Sequence, residues 1–237
     1  MKANASFSSW MPALLLVCVA LRPSAAQAAV TYTDRAAFLA AAAGMVSQTL
    51  DFESETAGTL LPDPSTLAGI TFLNHGTRAL VIDDAFEATS GVNYLGVNNA
   101  GTFNQFSYAD SFDMSFAPMH AVGLTIITAE VPGVTLFDDD IRLDVPGIGV
   151  ARLDAADLSY LTPGGDRVYF IGLIDLANSF TTARLEGSGA FGFFNIDDVT
   201  TAVIPEPGVG QALAVMAPML LAACWWRRST RRRPAGP

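Results

Sequence analysis

Residues 29–202 are predicted to form an all-β domain, a jelly-roll-like β-sandwich with one short N-terminal helix. Three observations predict this. Short runs of β-branched and aromatic residues recur along the segment, separated by clusters of Gly, Pro, Asn and Asp. After the first few residues, no stretch keeps the apolar spacing of a helix for long. The only cysteines, Cys18 and Cys224, lie outside the segment, so no disulfide staples it and a core must hold it alone. Its length of about 170 residues is enough for that.

Taken in order, Thr33 is read as the N-cap of a helix over 34–43, with Asp34 favouring the first turn and Gly44 ending it. Strands are then expected at Thr49–Phe52, Gly69–Leu73, Ala79–Ile82, Asn93–Val97, Phe112–Phe116 and Ala121–Thr128. They continue at Val134–Phe137, Ile141–Val145, Val150–Leu153, Val168–Ile174, Thr181–Leu185 and Phe191–Val199. No internal repeat divides the segment, so one domain is the economical reading. Among sandwiches a jelly roll comes first.

The charge is unevenly placed. Of 23 acids only Glu206 lies outside residues 29–202, which leaves 22 there against six arginines and no lysine, a net charge of −16. Such a surface repels phosphate backbones, which excludes nucleic acid as a partner.

The two ends speak about destination. Lys2, the apolar run Met11–Leu21 and Ala26-Gln27-Ala28 make residues 1–28 a secretory signal peptide with a small-x-small cleavage site. The run is too short for a membrane anchor, which takes about 20 residues. At the other end, residues 203–237 carry Pro205-Glu206-Pro207, then 19 uncharged residues over 208–226, then five arginines beginning at Arg227 and Arg228. The uncharged stretch is long enough to cross a bilayer as a helix, and Trp225 and Trp226 fall at its edge. The arginines place the C-terminus in the cytoplasm and the acidic domain outside.

Pro-Glu-Pro, one short transmembrane helix and a terminal arginine cluster, in that order, resemble the PEP-CTERM sorting signal of Gram-negative bacteria. The resemblance covers the tail alone. It implies recognition of Pro205, Glu206 and Pro207 by an exosortase, with Arg227 and Arg228 as the basic stop. It further implies removal of the anchor, a host that makes exopolysaccharide, and a product in the envelope, at the cell surface or in the extracellular matrix.

Leu50-Asp51-Phe52-Glu53 near the start of the domain and Asn195-Ile196-Asp197-Asp198-Val199 near its end resemble the jelly-roll domains that such proteins often carry. That resemblance implies that first and last strands lie side by side and that Glu53, Asp197 and Asp198 share a structural calcium ion. Calcium takes six to eight oxygens, which carboxylates supply well. Solvated strand-end acids are the competing reading. Asp83-Asp84 and Asp138-Asp139-Asp140 lack the glycine and terminal glutamate of a calcium loop and read as turns.

Catalysis finds little support. His75 and His120 form no zinc-hydrolase spacing, no G-x-S-x-G or phosphate loop is present, and no catalytic residue is assigned. The alternative is a surface glycoside hydrolase or lyase acting on exopolysaccharide through two carboxylates about 5–10 Å apart, a geometry sequence does not reveal. A non-catalytic binder is preferred. Aromatic rings stack on sugar faces and amides fix hydroxyls, which singles out Tyr94, Asn98, Asn99, Asn104 and Tyr108. Against this, strand aromatics usually face a core and Asn clusters usually make turns.

Overall fold

A computed structural model of the chain describes residues 28–99, 104–107, 110–128, 140–187 and 192–206. The signal segment through Gln27, Tyr108, the Val134–Phe137 strand, Pro207, the 208–226 helix, Arg227 and Arg228 lie outside those residues. The chain through Val203 is one compact unit, and Ile204 begins a second.

The chain builds two antiparallel sheets, an all-β sandwich. The first holds β1 (Val30–Tyr32), β14 (Arg167–Ile174), β10 (Ala121–Thr128), β16 (Phe193–Val203), β7 (Tyr94–Val97), β6 (Leu80–Asp83) and β3 (Leu60–Leu61), side by side in that order. Three further strands join it: β13 (Tyr160–Leu161) on β14, and β2 (Val46–Leu50) and β8 (Phe106–Ser107) on β16. The second sheet runs β12 (Gly149–Leu153), β11 (Ile141–Val145), β15 (Phe180–Gly187), β9 (Ser111–Met119), β5 (Ile70–Asn74) and β4 (Ser65–Leu67).

Alternation explains the second sheet. In β11, Ile141, Leu143 and Val145 are buried while Arg142 and Asp144 face outward, and β9 buries Phe112, Met114 and Phe116 between polar residues. The inward set meets the first sheet in one core. A chain of rings, Phe52, Phe72, Phe112, Phe106 and Phe194, runs through it with successive centroids 5.2–6.4 Å apart. Strand β10 has no alternation because both of its faces are covered, and all eight of its residues are buried.

The helix α1 (Arg35–Ala41) covers part of the first sheet's outer face. Its N-cap is Asp34 and not Thr33: the Asp34 carboxylate accepts the Ala37 N–H at 2.8 Å. Phe38 from this helix lies against Phe170, centroids 5.1 Å apart, over a floor made by Gly123 and Gly172. A Cβ at Gly123 would stand 2.6 Å from the Phe170 ring and 3.1 Å from Phe38. Gly123→Ala is therefore expected to lower stability by about 1–2 kcal/mol, since the rings can shift but not leave. A urea melt measures it.

Strands β1, β3, β4, β8 and β13 were not predicted. Each is two or three residues long, too short for periodicity to show.

Candidate functional site

The early and late acidic motifs do meet. Strand β2 pairs with β16 in register, Leu50 opposite Val199, so the Phe52-Glu53 corner follows directly beside Asp197-Asp198. Two consecutive residues in a regular strand point to opposite faces. Here they do not, because β16 carries a bulge: Thr125 faces Asp197 while Gly123 faces Thr200, so β16 spends one extra residue. Asp198 absorbs it at φ +51°. Both carboxylates then reach the same target.

That target is the segment Thr89–Asn93. Asp197 Oδ2 accepts the N–H groups of Thr89 and Ser90 and the Thr89 hydroxyl, each at 2.8 Å. Asp198 Oδ2 accepts the same hydroxyl at 3.0 Å and pairs with Arg35 at 3.3 Å. Glu53 Oε1 takes the N–H groups of Val92 at 2.8 Å and Asn93 at 2.6 Å. Between the two anchors, Gly91 sits at φ +59°, where a Cβ would lie 2.1 Å from the Glu53 carboxyl carbon. The three acids form a latch on one loop. The donors Thr89, Ser90, Val92 and Asn93 escaped the sequence reading; their only signal was a polar turn around a glycine.

Electrostatically the latch is loaded. Asp197 is fully buried and Asp198 is 2% exposed. Burial, then the neighbouring Asp198 charge, push the Asp197 carboxyl up to about 6, against the pull of the Thr89 and Ser90 hydrogen bonds. Tyr160, near Arg35 and both aspartates, also titrates above its ordinary range, mainly through burial.

The fit of these residues to a calcium ion differs between the two ends of the latch. Among the described residues no three Asp, Glu or His side chains converge as a metal group. Glu53 spends Oε1 on two N–H donors. The Asp197–Asp198 end fits better: two buried carboxylates face one arginine, and the oxygens of Thr125, opposite Asp197 in the ladder, and Asn195, two residues before it, are buried without a hydrogen bond. Spare oxygens and excess negative charge are what a hard cation uses.

Of the aromatic and amide set, Tyr108 lies outside the described residues and Tyr94 offers no ring face to a sugar. Tyr94 is fully buried and donates its hydroxyl to Asp83 Oδ2 at 3.2 Å; burial above all, and Asp83 next, hold the phenol well above its usual range. No ring face is left for a ligand. Asn99 donates its N–H to Asn104 Oδ1 at 3.0 Å, and Asn98 donates its N–H to Ala79. Asn104 thus lies over β7 at Gly96 and is held there by Asn99, while Asn98 is tied to the chain before β6. Sequence placed Tyr94 in a strand correctly but not the cover on its second face.

The histidines fall elsewhere. His75 Nε2 lies 3.0 Å from Asp113, which Arg184 clasps through both carboxylate oxygens on the outer face of the second sheet. Arg184 chiefly, with His75 adding to it, holds the Asp113 carboxyl below its usual range despite partial burial.

No known protein family and no curated protein matches the chain. Among solved structures, the K2 cleaved adhesin domain of Lys-gingipain is similar, with a TM-score of 0.41 and 11% identity over 66% of this chain and 99% of that one.

Proposed function

We propose that this chain is an exported, non-catalytic protein of the cell surface or extracellular matrix of a Gram-negative bacterium. Its jelly-roll-like domain binds or structures exopolysaccharide. A PEP-CTERM-type tail anchors it in the membrane until an exosortase processes it. The observation that carries the reading is the tail's order: β16 ends at Val203, and Pro205-Glu206-Pro207, an uncharged stretch and the arginine cluster follow within 34 residues. A calcium ion at Asp197 and Asp198, with the Thr125 and Asn195 oxygens beside them, would neutralise the buried pair and fix the Thr89–Asn93 loop from below.

Expression in an exosortase-positive host and in the same host lacking the enzyme tests the sorting claim. The positive host is expected to yield a shortened chain that co-fractionates with exopolysaccharide. Loss of the enzyme, or Pro205→Ala with Pro207→Ala, leaves the full-length chain in the membrane. Equal shortening and release in both hosts would sink the reading.

A further inference from the structure

Between the latched loop and the turn that joins β13 to β14 lies an open groove of about 610 Å³. Its two walls are tied together. Glu87, on the loop side, accepts the Gly164 N–H through both carboxylate oxygens, at 3.0 and 2.9 Å. A Cβ at Gly164 would stand 2.8 Å from the Glu87 carboxylate, so any larger residue there would push that side chain aside. The latch holds the first wall from beneath at Thr89–Asn93, so the groove is preformed and a ligand need not order it.

The lining has one chemical sense. Phe86, packed at 6.3 Å on the buried Tyr94, gives an aromatic wall. Asp84, Glu87 and Asp166 give carboxylates, and among the described residues no lysine, arginine or histidine lines the groove. Tyr160, 51% exposed, stands on the hairpin that supplies the second wall. A carboxylate accepts hydrogen bonds from hydroxyl and ammonium groups, and such charge-assisted bonds are the strong ones. Aromatic rings cover the apolar faces of sugar rings. The field of three carboxylates on a domain of net charge −16 repels uronates and sulfates.

We propose that this groove binds a polysaccharide without acidic groups, its hydroxyl or ammonium donors meeting Asp84, Glu87 and Asp166 and a sugar face lying against Phe86. The proposal rests on the polysaccharide-binding reading and names the site and ligand class for it. It puts Phe86 in the place of Tyr94, whose ring is buried.

Calorimetric titration of the purified chain with β-glucan, chitosan and alginate oligomers tests it. Binding of glucan or chitosan oligomers is expected, with none to alginate. Asp84→Arg should weaken that binding by about tenfold or more; Asp84 is exposed, so the melting temperature should hold. Phe86→Ala should weaken it as well, and circular dichroism confirms its fold. Wild-type binding that survives Asp84→Arg, or a preference for alginate, overturns the groove but leaves the polysaccharide reading. Binding to none of the three overturns both.

Discussion

Gly96→Ala is expected to cost more than about 3 kcal/mol and to leave little folded protein at 37 °C. A Cβ at this position would lie 1.9 Å from the Asn104 carbonyl oxygen and 2.9 Å from its carbon. Both are backbone atoms, so no side-chain rotation relieves the contact. Either the segment carrying Asn104 and Gln105 lifts, or β7, buried along its whole length, moves out of the sheet. Gly123→Ala, whose neighbours are ring tips, is the milder comparison. Urea midpoints for the two variants should differ clearly. If Gly96→Ala stays within about 1 kcal/mol of wild type, the segment carrying Asn104 is loosely held and Asn99 and Asn104 return as ligand candidates.

The second large effect is a pH profile. Asp197 titrates near 6 when folded, above the value of about 3.9 it has when unfolded. Between those values the native state binds the extra proton. Stability therefore falls as pH rises from about 4 to 6, by something on the order of 2–3 kcal/mol, and stays low above. Asp113 and Asp175 work in the other direction. Arg184 holds Asp113 low. For Asp175, hydrogen bonds from Asn178 and Ala177 overcome burial and do the same, so both lose their contribution as pH drops below about 4. A maximum near pH 4 in EDTA is the expected result of melts across this range. Millimolar calcium should remove the fall between 4 and 6, because an ion on Asp197 and Asp198 favours the charged form. A profile with the same fall in calcium and in EDTA would count against the metal. Asp197→Ala should abolish the fall in both.

Two strands carry the bounds the sequence predicts: β11, where polar and apolar residues alternate, and β10, an unbroken β-branched and apolar run covered on both faces; β9 was legible only in its central Phe112–Phe116 and extends to Met119. Helix α1 was legible from its N-cap to within one position, but it ends at Ala41, two residues before the predicted end at 43. The latch was half legible. Phe52-Glu53 and Asp197-Asp198 stood out as paired motifs, and their strands do lie together. The bulge that turns both aspartates the same way depends on β10 opposite, which no local pattern records. Tyr94 misled for a related reason: its outer face is covered by chain from another part of the sequence, and a strand of four residues carries too little pattern to show that cover.

One consequence concerns when this domain can fold. Strand β16, the last of the domain, is bonded to β10, β7, β2 and β8, so it is the spine of its sheet and not an edge. A nascent chain ending before Phe193 has the neighbours of that strand but nothing to join them. Because its closing contacts span most of the sequence, the domain should fold late and slowly. Were the chain exported as proposed, the strand that closes this sheet would be the last part of the domain to cross. In the proposed pathway the tail follows that strand by two residues, so the segment that completes the sheet is also the one that signals delivery.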